Sequence, residues 1–268
     1  MAKRTRDREG AGKSDNSYIK EDAIYRHARS QANAYRVTHP NDRVALIDGN
    51  AGDGRGTILP QADLFDGPKK SATTPKTLEV IAEDIGGNCD LILSESSHTK
   101  RIALRQLFPT AFTVDSHDKA PDLLCIEHRY ALWLSDPCGY SEHGVTAMRR
   151  VALRPDFRSD FIIVFNEGSL CRLKGTKSPK WDPHREFYLP MLDPSWWAKT
   201  LQKRWVARTR LIKQSAGFCF RLLIVADFLG DVAKRDCPEK FERRPAMERT
   251  PLRLAAEWGR PVKQGGQG

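Results

Sequence analysis

The stretch VALIDGNAGDGRG, Val44 to Gly56, decides how the chain is to be read. Four apolar residues run into Asp48, and Gly49, Gly52, Gly54 and Gly56 follow within eight positions. A short apolar run closed by a glycine-rich turn reads as a buried strand. A loop nearly stripped of side chains is what a chain builds where a ligand must approach the backbone. Glycine-rich turns also serve purely structural ends, so the ligand has to be sought elsewhere in the chain. The pattern is neither the dinucleotide G-x-G-x-x-G nor a P-loop, since no Gly-Lys-Ser/Thr follows.

Composition narrows the classes. With 268 residues, 40% of them apolar, the chain can bury one large α/β core or two small ones. No run approaches the length of a membrane helix, and the N-terminus lacks the apolar centre of a secretory signal. The six cysteines are scattered without a C-x-x-C pair, as in a reducing compartment. A cytoplasmic protein with no membrane partner is expected. The formal charge of +10 favours a polyanionic partner, nucleic acid before any other.

Apolar runs at Val44–Asp48, Cys89–Ser96, Ala111–Ser116, Tyr130–Pro137, Asp160–Glu167 and Phe218–Phe228 predict six strands. Most are continuously apolar, which suits parallel strands covered on both faces. Helical patterns precede and separate them: Tyr18–Tyr35, Pro75–Asp84, His98–Leu107, Gly144–Ala152 and Ser195–Gln214. Strand and helix in alternation imply an α/β fold, Rossmann-like, with a mostly parallel central sheet. The expected organisation is a basic tail over 1–17, one domain over 18–230 and a polar extension over 231–268.

In such sheets ligands sit at the carboxyl ends of the strands. The first strand ends in Asp48, Gly49, Asn50, Gly52 and Gly54, and the second in Glu95. The third is followed by Asp-Ser-His-Asp, in which Asp118, or less favourably Asp115, can accept from a purine amine. The fourth ends in Ser-Asp-Pro-Cys-Gly, a rigid turn aimed into the cleft. Glycine loop, acid, acid and Asp-Pro at four successive strand ends resemble the layout of S-adenosylmethionine (SAM)-dependent methyltransferases. In that class the glycine loop passes under the methionine moiety and the acids hold ribose and adenine, while the fourth strand end faces the group to be methylated.

Several stretches together resemble one family, the three-Cys-motif partner proteins. They are Tyr25–Tyr35, LIDGNAGDGRG, KSATTPKTLEVIAE before LILSES, and LWLSDPCG, within roughly residues 18–230. The resemblance implies a class I methyltransferase fold and SAM as cofactor. The chain departs from the family pattern in having Asn50 and Cys138 where an aromatic stands, and Thr74-Pro75 for Ser-Pro.

Two chemistries compete at Asp136-Pro137-Cys138-Gly139. In one, Asp136 and the Pro137 carbonyl accept from an exocyclic base amine while Tyr140 or Trp133 stacks on the base. In the other, a Cys138 thiolate attacks a cytosine ring held by Glu167. The second lacks the usual setting of its glutamate, so the amine is preferred. A zinc reading of Cys125-x-x-His128 with Cys138 and His143 would require the intervening strand to bend back, and no metal is expected. Finally, the predicted helix over Ser195–Gln214 carries Lys199, Lys203, Arg204, Arg210 and Lys213, with Lys199, Lys203, Arg210 and Lys213 opposite Trp197, Leu201, Trp205 and Ile212. That arrangement suggests a phosphate-tracking face, extended by the basic stretch Arg172–Trp181. The reading is thus a SAM-dependent methyltransferase of nucleic acid, against a non-catalytic relative that binds nucleic acid or a protein partner.

Overall fold

The computed structural model describes residues 17–54, 73–86, 88–136, 144–179, 182–215 and 218–243. Helix α1 (Ser17–Thr38) leads into strand β1 (Arg43–Asp48), followed by α2 (Thr74–Ile85), β2 (Cys89–Ser94), α3 (His98–Leu107) and β3 (Phe112–Val114). Next come β4 (His128–Ser135), α4 (Val145–Ala152), β5 (Arg158–Asn166), α5 (Glu167–Gly175), α6 (Asp182–Tyr188) and α7 (Pro194–Thr200). The described chain closes with β6 (Trp205–Arg208), β7 (Ile212–Ser215), β8 (Phe218–Ala226), α8 (Asp231–Asp236) and β9 (Glu239–Glu242). The sheet order is β3-β2-β1-β4-β5-β8-β6-β9, with β7 beside β8. Strands β1 to β5 are parallel, and β8 enters antiparallel between β5 and β6.

The continuous apolar runs have the expected cause: alternate residues of one strand enter different cores. Val44 and Leu46 face the side covered by α1 and α2, with Ile24, Ala28, Leu78 and Ile81. Ala45 and Ile47 face the other side, with Met148 of α4 and Trp197 of α7. Tyr130, Leu132 and Leu134 against Ala131 and Trp133 repeat this on β4.

The basic helix over Ser195–Gln214 is a correction. Asp193 caps α7 by accepting from the Ser195 backbone N–H at 2.8 Å, and Gln202 turns the chain with φ of +51°. Beyond that turn the chain is strand: Trp205 and Ala207 pack into one core and Val206 into the other. A period-2 pattern with aromatic and β-branched residues won over an accidental helical face. The basic stretch Arg172–Trp181, expected as a loop after the fifth strand, is instead helical from Arg172 as far as Gly175. Residues 231–243, expected as a polar extension, supply α8 and β9, and β9 pairs with β6.

A buried polar knot binds α1 to the sheet. Asp160 of β5, 1% exposed, accepts from Tyr130 at 2.8 Å and from Gln31 of α1 at 2.9 Å. Burial pushes its carboxyl up to about 7, against the Tyr130 and Gln31 hydrogen bonds and nearby Lys203, which pull it down. The folded state therefore holds this proton more tightly than the unfolded chain, whose value is 3.8. The stabilising contribution is complete below about pH 4 and is lost as pH rises through about 7. Urea unfolding followed across pH 4–8 is expected to show stability falling over that window, and Asp160→Asn to flatten the Asp160 part of the slope.

Candidate cofactor site at the carboxyl edge

The strand order reverses between β1 and β4, making their carboxyl ends the switch point where open α/β sheets bind ligands. Register fixes what meets there. Asp48 lies beside Leu93 of β2 and Leu134 of β4, so Glu95 and Asp136 each stand two residues beyond a neighbour of Asp48. The glycine loop is anchored across this edge: Gly49 N–H donates to the Leu134 carbonyl at 2.8 Å and Ala51 N–H to the Ser94 carbonyl at 3.0 Å.

Asp48 is fully buried. Its Oδ1 accepts the Asn50 N–H at 2.9 Å and its Oδ2 the Thr74 hydroxyl at the start of α2. Burial first, then the charges of Asp136 and Glu95, raises its carboxyl to about 7, while the Thr74 and Asn50 hydrogen bonds hold it down. Glu95 is half-buried and holds the start of α3, its Oε1 accepting the Ser97 N–H at 2.8 Å. Asp118 stands exposed on a 3-10 turn after β3, its carbonyl accepting from Arg150 at 2.7 Å. Asp115 is paired with Lys119 at 2.7 Å instead.

Asp136 forms an ion pair with Lys20 of α1, a contact across 116 positions that no local pattern signals. The Lys20 ammonium also lies 5.2 Å from the Phe220 ring centroid. A second group the sequence reading missed is His117. Ser135 donates to the Asn50 side-chain oxygen at 3.1 Å, and Asn50 Nδ2 lies 3.3 Å from His117 Nε2. A polar chain thus crosses the edge from β4 to the turn after β3, using the asparagine that stands where an aromatic was expected.

The glycines divide by cause. A Cβ at Gly49 would lie 2.8 Å from Trp133 Nε1, and one at Gly54 would meet Phe108 and Leu104 at 2.7 and 2.8 Å. Those two make room for the protein's own side chains. Gly52, at φ of +64°, has nothing within 4 Å of such a Cβ among the described residues. Trp133, offered by the sequence as a base-stacking ring, is instead fully buried in the core. Glu167 pairs with Arg221. Pro137, Cys138 and Tyr140 lie outside the described residues, as does Gly56.

Among the proposed phosphate contacts, Lys203 is 3% exposed and bound to Asp227 at 2.9 Å. Arg204 pairs with Glu242. Lys199 on α7, Arg210 after β6 and Lys213 on β7 are exposed, so the set belongs to three segments and to no single helix face. Cys125 and His128 do meet, at 3.0 Å, and no group of three or more metal-ligating side chains is found among the described residues. Nor is any described helix long and apolar enough to cross a membrane.

A doubly wound parallel half, closed by an antiparallel strand between β5 and β6, defines a Rossmann-like sheet of the class I methyltransferase type. No family model matches the chain, and no curated protein does. Solved structures similar to it include a plantazolicin methyltransferase in complex with SAH, at 14% identity and TM-score 0.40, over 80% of this chain and 92% of that one. A Legionella pneumophila protein has 13% identity and TM-score 0.43, over 75% and 84% of the two chains. An rRNA methylase from Streptococcus thermophilus has 10% identity and TM-score 0.39, over 77% and 96%. All three TM-scores are low, so the fold class rests on the strand order.

The division among the glycines is open to measurement. Gly49→Ala is expected to destabilise the protein by about 1–3 kcal/mol through overpacking on Trp133. Gly52→Ala should cost only about 1 kcal/mol, for a left-handed backbone alone. Urea midpoints of the two variants check the ranking.

Proposed function

We propose that the protein is a SAM-dependent methyltransferase acting on nucleic acid, with an exocyclic base amine as the acceptor. The observation that carries this reading is the convergence of Asp48, Glu95 and Asp136 at the β1/β4 switch point, where Asp48 is raised first by burial and then by the charges of the other two. Space at Gly52, open among the described residues, suits a ligand lying on the backbone, and a cluster of carboxylates suits a cationic one. When bound, SAM supplies an electrophilic methyl group. Glu95 would accept from the ribose hydroxyls, Asp118 from the adenine amine, and Gly49 to Gly54 would pass beneath the methionine moiety.

Asp136 would accept from the amine and aim its lone pair, which requires the base to take the place of Lys20. Net charge of +10, with Lys199, Arg210 and Lys213 exposed, supports nucleic acid as the substrate. The Lys20–Asp136 pair also favours a second reading, in which the edge binds nucleic acid or a partner without transferring methyl.

Transfer of tritiated methyl from SAM to mixed DNA and RNA tests the proposal. Wild type should label one of them, and Asp136→Ala should lose about a hundredfold or more in rate. Reversing Lys199, Arg210 and Lys213 to Glu should weaken binding for all sequences alike and reduce its salt dependence. Nucleic-acid binding without any label would favour the non-catalytic reading.

A further inference from the structure

A second cluster stands at the opposite edge of the sheet, roughly 20 Å from Ser135 along β4. Cys125 sits in the exposed turn before β4, with Sγ 3.0 Å from Nδ1 of His128. Nε2 of the same ring lies 2.7 Å from Oδ2 of Asp90 on β2. His128 is only 3% exposed, so the ring is held between an exposed thiol and a carboxylate.

Its tautomer is fixed from both sides. The Cys125 backbone N–H points at Nδ1 at 3.1 Å, which makes that nitrogen an acceptor. Nε2 therefore carries the proton and donates it to Asp90. Burial lowers the His128 pKa against the pull of Asp90, with Arg43 and Arg154 adding to the lowering. The ring then favours its neutral form, and the single lone pair of Nδ1 is shared between the Cys125 backbone N–H at 3.1 Å and the thiol sulfur at 3.0 Å. Arg43 holds Asp90 at 2.7 Å and Glu127 at 2.7 Å. Arg154 donates to the Leu124 and Cys125 carbonyls, each at 2.8 Å, fixing the turn. Nucleophile, base and orienting carboxylate stand in line, and two guanidiniums flank them.

We propose that Cys125 is a reactive thiol, activated by His128 as general base, that exchanges with small disulfides. In that step Cys125 Sγ attacks one sulfur of the disulfide, a new S–S bond forms, and the other sulfur leaves as a thiolate. The thiol proton passes to His128 Nδ1 and from there to solvent or the departing thiolate. This activity is independent of methyl transfer.

The test uses the full chain and 5,5′-dithiobis(2-nitrobenzoate), an anionic disulfide, between pH 5.5 and 8.5. One thiol should react about tenfold or more faster than N-acetylcysteine near pH 6.5. Its rate should rise less steeply with pH than that of N-acetylcysteine, because the ring takes the thiol proton. Mass spectrometry should place the adduct on Cys125 among the six cysteines, and Cys125→Ser should abolish the fast phase. His128→Gln should slow it about tenfold and restore the steep rise with pH of an ordinary thiol. Should that buried substitution unfold the chain, the wild-type profile and Asp90→Asn decide. A Cys125 reacting no faster than N-acetylcysteine, or a fast thiol mapped to another cysteine, would overturn the proposal.

Discussion

One carboxylate shapes the carboxyl edge. Asp48 ends β1 in a place without water, and its two oxygens take the Asn50 N–H and the Thr74 hydroxyl. The first contact bends the chain as it leaves the strand, and the second fixes where it returns as α2. Asn50 and Thr74 are thereby tied to a single point at the switch in strand order. A buried carboxyl is unfavourable unless hydrogen-bonded or protonated, and both forces act here, since its pKa rises to about 7. The group is thus poised between charged and neutral forms at physiological pH.

Helix α1 has a matching role from above the sheet. Its face toward the core carries Ile24, Ala28 and Ala32, while Gln31 reaches Asp160 and Lys20 reaches Asp136. The same helix therefore stabilises the middle of the sheet and sets the charge of its functional edge. At the far edge, Arg43, Asp90 and His128 join the starts of β1, β2 and β4. The two ends of the parallel strands differ in consequence: one gathers Asp48, Glu95 and Asp136, the other a cysteine and a histidine beside guanidiniums paired with Asp90 and Glu127.

Much of this was legible in the sequence because parallel strands buried on both faces leave unbroken apolar runs, as in Val44–Ile47 and Leu91–Leu93. Acids closing those runs were legible for the same reason. Contacts across long separations were not: nothing near Lys20 announces Asp136, and nothing near Asn50 announces His117. The glycines at 49 and 54 looked like space for a ligand, yet Trp133 and Phe108 fill that space. The segment from Trp197 to Ile212 misled because its large apolar residues fall at helical spacing by coincidence, while a four-residue strand such as β6 leaves little periodicity to read.

The central claim is that the edge around Asp48 holds SAM. Calorimetric titration of S-adenosylhomocysteine into the full chain tests it most directly. The account predicts one site per chain, weakened about tenfold or more by Glu95→Ala through loss of a charged hydrogen-bond acceptor. Absence of binding to folded protein at millimolar ligand, or an unchanged affinity in the Glu95 variant, would contradict it.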